Sequence, residues 1–167
     1  MKVVGKQSNS KMCIVCGLDN PIGLRAPFYN MEDGSEMTLF RYGAEHQSFP
    51  GRVHGGLVAT MLDELGLRAL WVKSPEDTFG VTMTMEVKYR RPVPYGQELT
   101  GRGIVERETG KFFTIRTGIY DGEGILLAEG LLKYIKLEAD QIVRDIDPHE
   151  EMCYLVEDGV REIAFAR

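Results

Sequence analysis

The sequence predicts an α+β domain in which one long helix packs on a curved antiparallel sheet of about six strands, with a short C-terminal helix after it. Three observations carry that expectation. Helical periodicity is sustained over one long stretch only, from Leu57 to about Lys73. The β-rich stretches around it are separated by turn compositions of the hairpin kind. The chain has 167 residues with 43% apolar content, enough for one well-formed core and too little for two ordinary domains.

Taken in order, "APFYNMEDGSEMTLFRYG" (26–43) holds two apolar stretches split by "EDGS", a hairpin composition. "AEHQSFPGRVHGG" is rich in turn formers, lacks periodicity and reads as a loop. In the helix, Leu57, Val58, Met61, Leu62, Leu65, Ala69 and Leu70 recur at three and four spacing, and "KSPED" stops it. "FGVTMTMEVKYRRP" puts Val81, Met83, Met85, Val87 and Tyr89 on one parity, as a strand requires, and ends at Pro92. Residues 97–109, 111–121 and 124–138 follow as an antiparallel meander. Near the end, Asp147 offers an N-cap, Pro148 a first helical residue and Gly159 a stop. The expected organisation is a single domain over 1–167: a core at about 24–138, an N-terminal segment 1–23 carrying a CxxC, and a C-terminal extension 139–167.

Net charge is −5 with acids and bases interspersed, so nothing global argues for a nucleic-acid or anionic-membrane partner. No apolar run approaches the roughly 18 to 20 residues that span a bilayer, and "MKVVGKQSNSK" lacks an apolar signal region; the expected location is cytoplasmic. Cys13, Cys16 and Cys153 are too few for a disulfide scaffold. With His149, they could form a Cys3His zinc set, but its two halves are far apart in sequence, and the expectation is reduced cysteines, no bound metal and no cofactor.

The chemistry concentrates in "GRVHGGLVATMLDELG" (51–66). Asp63 shares a helical stripe with Gly56, Ala59, Gly66 and Leu70, small residues that let another backbone come close. A carboxylate on such a stripe is withdrawn from free solvation, and burial raises its pKa and basicity. Glu64 turns about 100° away. Gly55 and Gly56 sit where helical amide donors are unpaired, and glycine lets a ligand oxygen come close. Such a helix start suits an anion, here the developing oxyanion of an acyl transfer. Asp63 lies roughly 12 Å along the axis from Gly55, so one chain's aspartate cannot serve the same chain's glycine. Two helices antiparallel about a two-fold axis would bring one beside the other. Lys88, Arg90, Arg91 and Lys111 form the best local basic group for phosphates, and the methionines of "TMTMEV" are candidates for an acyl channel or for core filling.

"HGGLVATMLDE", "GVTMTMEVKYRRPVPYG" and "CIVCGLDNPIGL" together resemble the hotdog-fold acyl-CoA thioesterases of the PaaI-like type over about residues 13–137. The resemblance implies a homodimer, possibly a dimer of dimers, with six-stranded sheets joined edge to edge and two sites at the interface. It implies an acyl-CoA substrate hydrolysed to acid and free thiol. Carried over by position, Asp63 is the base or nucleophile, Gly55 N–H the oxyanion donor, His54 the residue ordering that loop, and Thr82 the hydroxyl positioning the attacking water. Relatives often carry an amide side chain shortly before the histidine; here Gln47 and Ser48 occupy that stretch, and Gln47 could substitute. The rival readings are a non-catalytic acyl-CoA-binding module, a dehydratase or isomerase of the same fold, for which His46, His54 and His149 lack the usual pattern, and a zinc-bound interaction protein.

Overall fold

The computed structural model describes residues 1–74, 78–137, 139–142, 148–152 and 154–165. Its elements are β1 (Val3–Gln7), β2 (Phe28–Met31), β3 (Glu36–Arg41), a 3-10 turn at Ala44–His46, α1 (Gly55–Trp71), β4 (Phe79–Tyr89), β5 (Glu98–Thr109), β6 (Phe112–Tyr120), β7 (Leu126–Leu137), α2 (Ala139–Ile142) and α3 (Pro148–Glu151). The strands form one open antiparallel sheet in the order β1-β2-β3-β5-β6-β7-β4.

Helix α1 lies on the inner face. Val58, Met61, Leu62 and Leu65 enter a core with Phe28, Phe40, Leu99, Ile119 and Ala128, and Ala69 and Leu70 meet Phe113, Ile115 and Leu132. Each fully buried leucine contributes roughly 2 kcal/mol. Close nesting of helix on sheet depends on Gly103 of β5, where a Cβ would stand 2.5 Å from the Leu65 carbonyl oxygen.

Three features differ from the sequence expectation, and one strand pairing lies outside it. A seventh strand, β1, extends the sheet beyond β2, where about six strands were expected; "VVGKQ" is too short for its alternation to announce it. Strand β4 does not lie beside β5, its neighbour in sequence, but pairs with β7 at the far edge. The β4 register slips between Thr82 and Thr84, a bulge at Met83 that breaks the single parity expected of that strand. Finally, α3 begins at Pro148 as expected but ends at Glu151; Asp147 lies outside the described residues. The chain then returns along β1, with Val3 N–H donating to Arg161 O and Ile163 N–H to Met1 O. Ile163 is buried against Tyr29, Met31 and Met37, so this part of the extension covers the outer face of the sheet.

Candidate active site

Two clusters of polar groups lie on α1, one at its middle and one at its start. At the middle, half-buried Asp63 receives two hydroxyl groups. Thr82 Oγ1 donates to Asp63 Oδ1 at 2.6 Å. The Tyr134 hydroxyl lies 2.8 Å from the same Oδ1 and 2.6 Å from the Asp63 carbonyl oxygen, so its proton is shared between them. Burial and the Asp63 charge hold the Tyr134 phenol above its ordinary ionisation range, which keeps it a neutral donor. Among the described residues Asp63 Oδ2 has no hydrogen-bond donor, so one oxygen is anchored and the other is open.

The sheet register explains how these groups meet. Thr82 is paired directly with Tyr134, so their side chains share a face. Met85 is paired with buried Leu132 and faces the same way as Thr82, three residues earlier; strict alternation would set them on opposite faces. The bulge at Met83 re-aims Thr82 toward the helix. Gly66 supplies the remaining condition, because a Cβ there would stand 2.2 Å from the Tyr134 oxygen.

At the helix start, His54 is the N-cap, and its Nδ1 accepts from Gly56 N–H at 3.0 Å. Gly56 is thereby committed to the cap. The Gly55 N–H donates to no group among the described residues, while its carbonyl accepts from the Tyr89 hydroxyl at 2.8 Å. The first turn of α1 carries no acidic side chain, so nothing there neutralises the positive end of the helix dipole.

Gly55 opens on a cleft of about 470 Å³ lined in part by Ser48, Phe49, Arg52, Tyr89 and Arg91. Gln47 is tied to the β4–β5 connection, its Oε1 accepting from the Tyr95 hydroxyl at 2.8 Å. The basic residues divide. Arg90 also lines the cleft but is paired with Glu129, with Nε to Oε1 at 2.9 Å. Arg91 has no ion-pair partner among the described residues. Lys88 pairs with Glu86. Lys111 lies beside Lys136, whereas Arg90 pairs its backbone with Leu127, nine residues earlier on β7 and roughly 30 Å away. One protomer therefore does not gather Lys111 with the arginines.

Two useful residues escaped the sequence reading. Tyr134 is an ordinary β7 residue until β4 pairs with β7. Arg52, two residues before His54, reveals itself only as part of the cleft. Of the candidate zinc set, Cys153 and the His149 side chain lie outside the described residues. Cys13 and Cys16 instead meet Glu64 on another face of α1. The Cys13 thiol's hydrogen bond, helped by Arg68 and Ser10 against desolvation, pulls Cys16 below the ordinary thiol range, so the pair holds its proton on Cys13.

The family model of the thioesterase superfamily matches residues 50–128, a stretch containing the HGG, Asp63 and Thr82. The acyl-coenzyme A thioesterase THEM4 of Mus musculus is 26% identical over 118 residues, which is 70% of this chain and 49% of that protein. The chain thus spans about half the length of the curated relatives it matches. Among solved structures, a thioesterase from Haemophilus influenzae superposes with a TM-score of 0.64 at 16% identity, covering 74% of this chain and 86% of the other. The PaaI protein of E. coli, from its phenylacetic acid degradation operon, gives 0.61 at 17% identity over 68% of this chain and 80% of its own. The fold is the hotdog fold, with seven strands and an unclosed sheet.

Proposed function

We propose that the chain is an acyl-CoA thioesterase acting as a homodimer, with each site built from the Gly55 of one protomer and the Asp63 of the other. The observation that carries this reading is the pair of unfilled groups on α1: a carboxylate oxygen with no donor and a glycine N–H with no acceptor. Hydrolysis needs one of each. The thioester carbonyl oxygen accepts from Gly55 N–H, and Asp63 Oδ2 removes a proton from water as it adds to the carbonyl carbon, or adds itself. The tetrahedral intermediate then expels the coenzyme A thiolate, which recovers the proton from Asp63 in the first route; in the second, water hydrolyses the Asp63–acyl anhydride left behind and supplies the proton to the thiolate. Thr82 and Tyr134 fix the carboxylate so that Oδ2 faces the substrate.

The two groups sit eight positions apart on one helix, roughly 12 Å along its axis, too far to serve one carbonyl from a single chain. Strand β4 supports the dimer. It is an edge strand of 11 residues that leaves Val81, Met83 and Met85 37%, 54% and 37% exposed, and a long apolar edge of this kind calls for a partner. Pairing of two β4 edges about a two-fold axis would set the helices antiparallel and cover these residues. Arg91 and Arg52, in the cleft beside Gly55, suit the phosphates of the coenzyme; Lys111 would reach them only from the second protomer. The name of the mouse relative supports the acyl-CoA class, and a cytoplasmic location is part of the same reading. No helix among the described residues is long and apolar enough to cross a membrane.

Release of free thiol from short, long and aryl acyl-CoAs is the test. Turnover of at least one class is expected. Tight binding of an acyl-CoA without turnover of any would replace this reading by a non-catalytic binding module.

A further inference from the structure

Among the described residues, a cluster of ligand-type side chains lies away from Asp63, on another face of α1. One ligand atom each from Cys13, Cys16 and Glu64 fall within 4.8 Å of one another. The Cys13 Sγ to Glu64 Oε2 distance is 3.9 Å. In a tetrahedral zinc site a sulfur and an oxygen ligand stand about 3.5 Å apart, so this pair needs to close by only a few tenths of an ångström.

The surroundings are those of ligands rather than of idle thiols. Val15 N–H donates to Cys13 Sγ at 3.3 Å and Cys16 N–H approaches it at 3.5 Å, so the Cys-x-x-Cys turn folds its amides onto the first sulfur. That turn closes through Gly17, where a Cβ would stand 2.4 Å from the Cys13 carbonyl oxygen. Ser10 Oγ accepts from Cys13 N–H at 3.1 Å, which directs its own proton to Cys16 Sγ at 3.2 Å. Arg68 Nε donates to Glu64 Oε1 at 2.8 Å, leaving Oε2 toward the sulfurs. Outer groups that orient each ligand atom are what a metal site requires.

Charge balance points the same way. Two thiolates and a carboxylate carry three negative charges, and a divalent cation reduces them to one, which the buried Arg68 guanidinium balances. We propose that Cys13, Cys16 and Glu64 bind one zinc-class divalent ion, with water in the fourth position, clipping the N-terminal loop to α1. Binding displaces the proton held on Cys13 to solvent and involves no electron transfer. This departs from the sequence expectation, which paired the cysteines with His149 and Cys153 and anticipated no metal. It stands independently of the thioesterase reading.

The test uses the full chain, reduced and stripped by a chelator, then titrated with Co²⁺. An intense thiolate-to-cobalt absorption saturating at one equivalent and abolished by Zn²⁺ is expected. Zn²⁺ at about 100 times its Kd should raise the melting temperature by roughly 5 °C or more. Glu64→Gln should weaken Co²⁺ binding at least about tenfold, as loss of a ligand demands. Cys13→Ser, checked for native circular dichroism, should lose the absorption. A wild-type protein that shows no such band overturns the proposal without recourse to any variant. A band that persists in the Cys13→Ser, Cys16→Ser double variant, or an affinity untouched by Glu64→Gln, overturns it equally.

Discussion

Asp63 and Glu64 are neighbours in sequence and opposites in environment. Asp63 is held by two neutral hydroxyls on one oxygen, and its other oxygen has no donor among the described residues. Glu64 is bound to Arg68, a side chain only 1% exposed that is clamped between the rings of Phe28 and Trp71 at 4.4 and 4.7 Å. Neutral donors orient a carboxylate without countering its charge, whereas a buried guanidinium pairs with it directly. A rotation of about 100° on one helix separates the two environments.

The comparison can be broken at either residue. The largest effect falls at Asp63: Asp63→Asn preserves shape but removes the base and nucleophile, and kcat for acyl-CoA hydrolysis should fall by about 10² to 10⁴-fold. The cost of Glu64→Gln should appear in stability instead. Unpairing a buried arginine costs about 3 kcal/mol, which for a chain of this size lowers the melting temperature by roughly 10 °C in a thermal scan. Tyr134→Phe sharpens the Asp63 side. It leaves Thr82 as the sole anchor, and steady-state kinetics should show kcat reduced about tenfold with KM little changed.

The smallest effect concerns a third carboxylate. Both oxygens of Glu36 are buried without a hydrogen-bond partner among the described residues. Burial holds its pKa well above the ordinary 4.5, against the pull of Arg68 and Arg102. The folded protein keeps this proton at a pH where the unfolded chain releases it, so folding carries a penalty that grows as pH rises above 4.5 and vanishes below it. Glu36→Gln should therefore stabilise by about 1 kcal/mol near neutrality, with a larger gain in melting temperature at pH 8 than at pH 5.

How much of this was legible beforehand follows the range of the interactions involved. The helix, six of the strands and the HGG-to-Asp63 spacing are local patterns, and they appear where the sequence places them. Tyr134 depends on the pairing of β4 with β7, which skips two strands in chain order, and the aim of Thr82 depends on a bulge that no alternation announces. The meeting of Cys13 with Glu64 likewise needs the N-terminal loop laid against α1, a contact between residues 51 positions apart. Strand β1 stayed hidden because five residues of mixed character acquire meaning only beside β2.

The central claim is that Gly55 and Asp63 act on one thioester from different protomers, and mixed dimers test it most directly. Gly55→Pro deletes the single N–H donor at a first helical position, where proline is tolerated. His54 already has the extended conformation that precedes proline, with φ −64 and ψ 131, and a Cβ at Gly55 would meet Tyr89 at an ordinary 3.5 Å. Each variant on its own should be nearly inactive. Unfolded together and refolded as a one-to-one mixture, half the dimers carry both variants and one of their two sites is intact, so about a quarter of the wild-type activity should return. A mixture no more active than the average of the two pure variants would contradict a site shared between protomers.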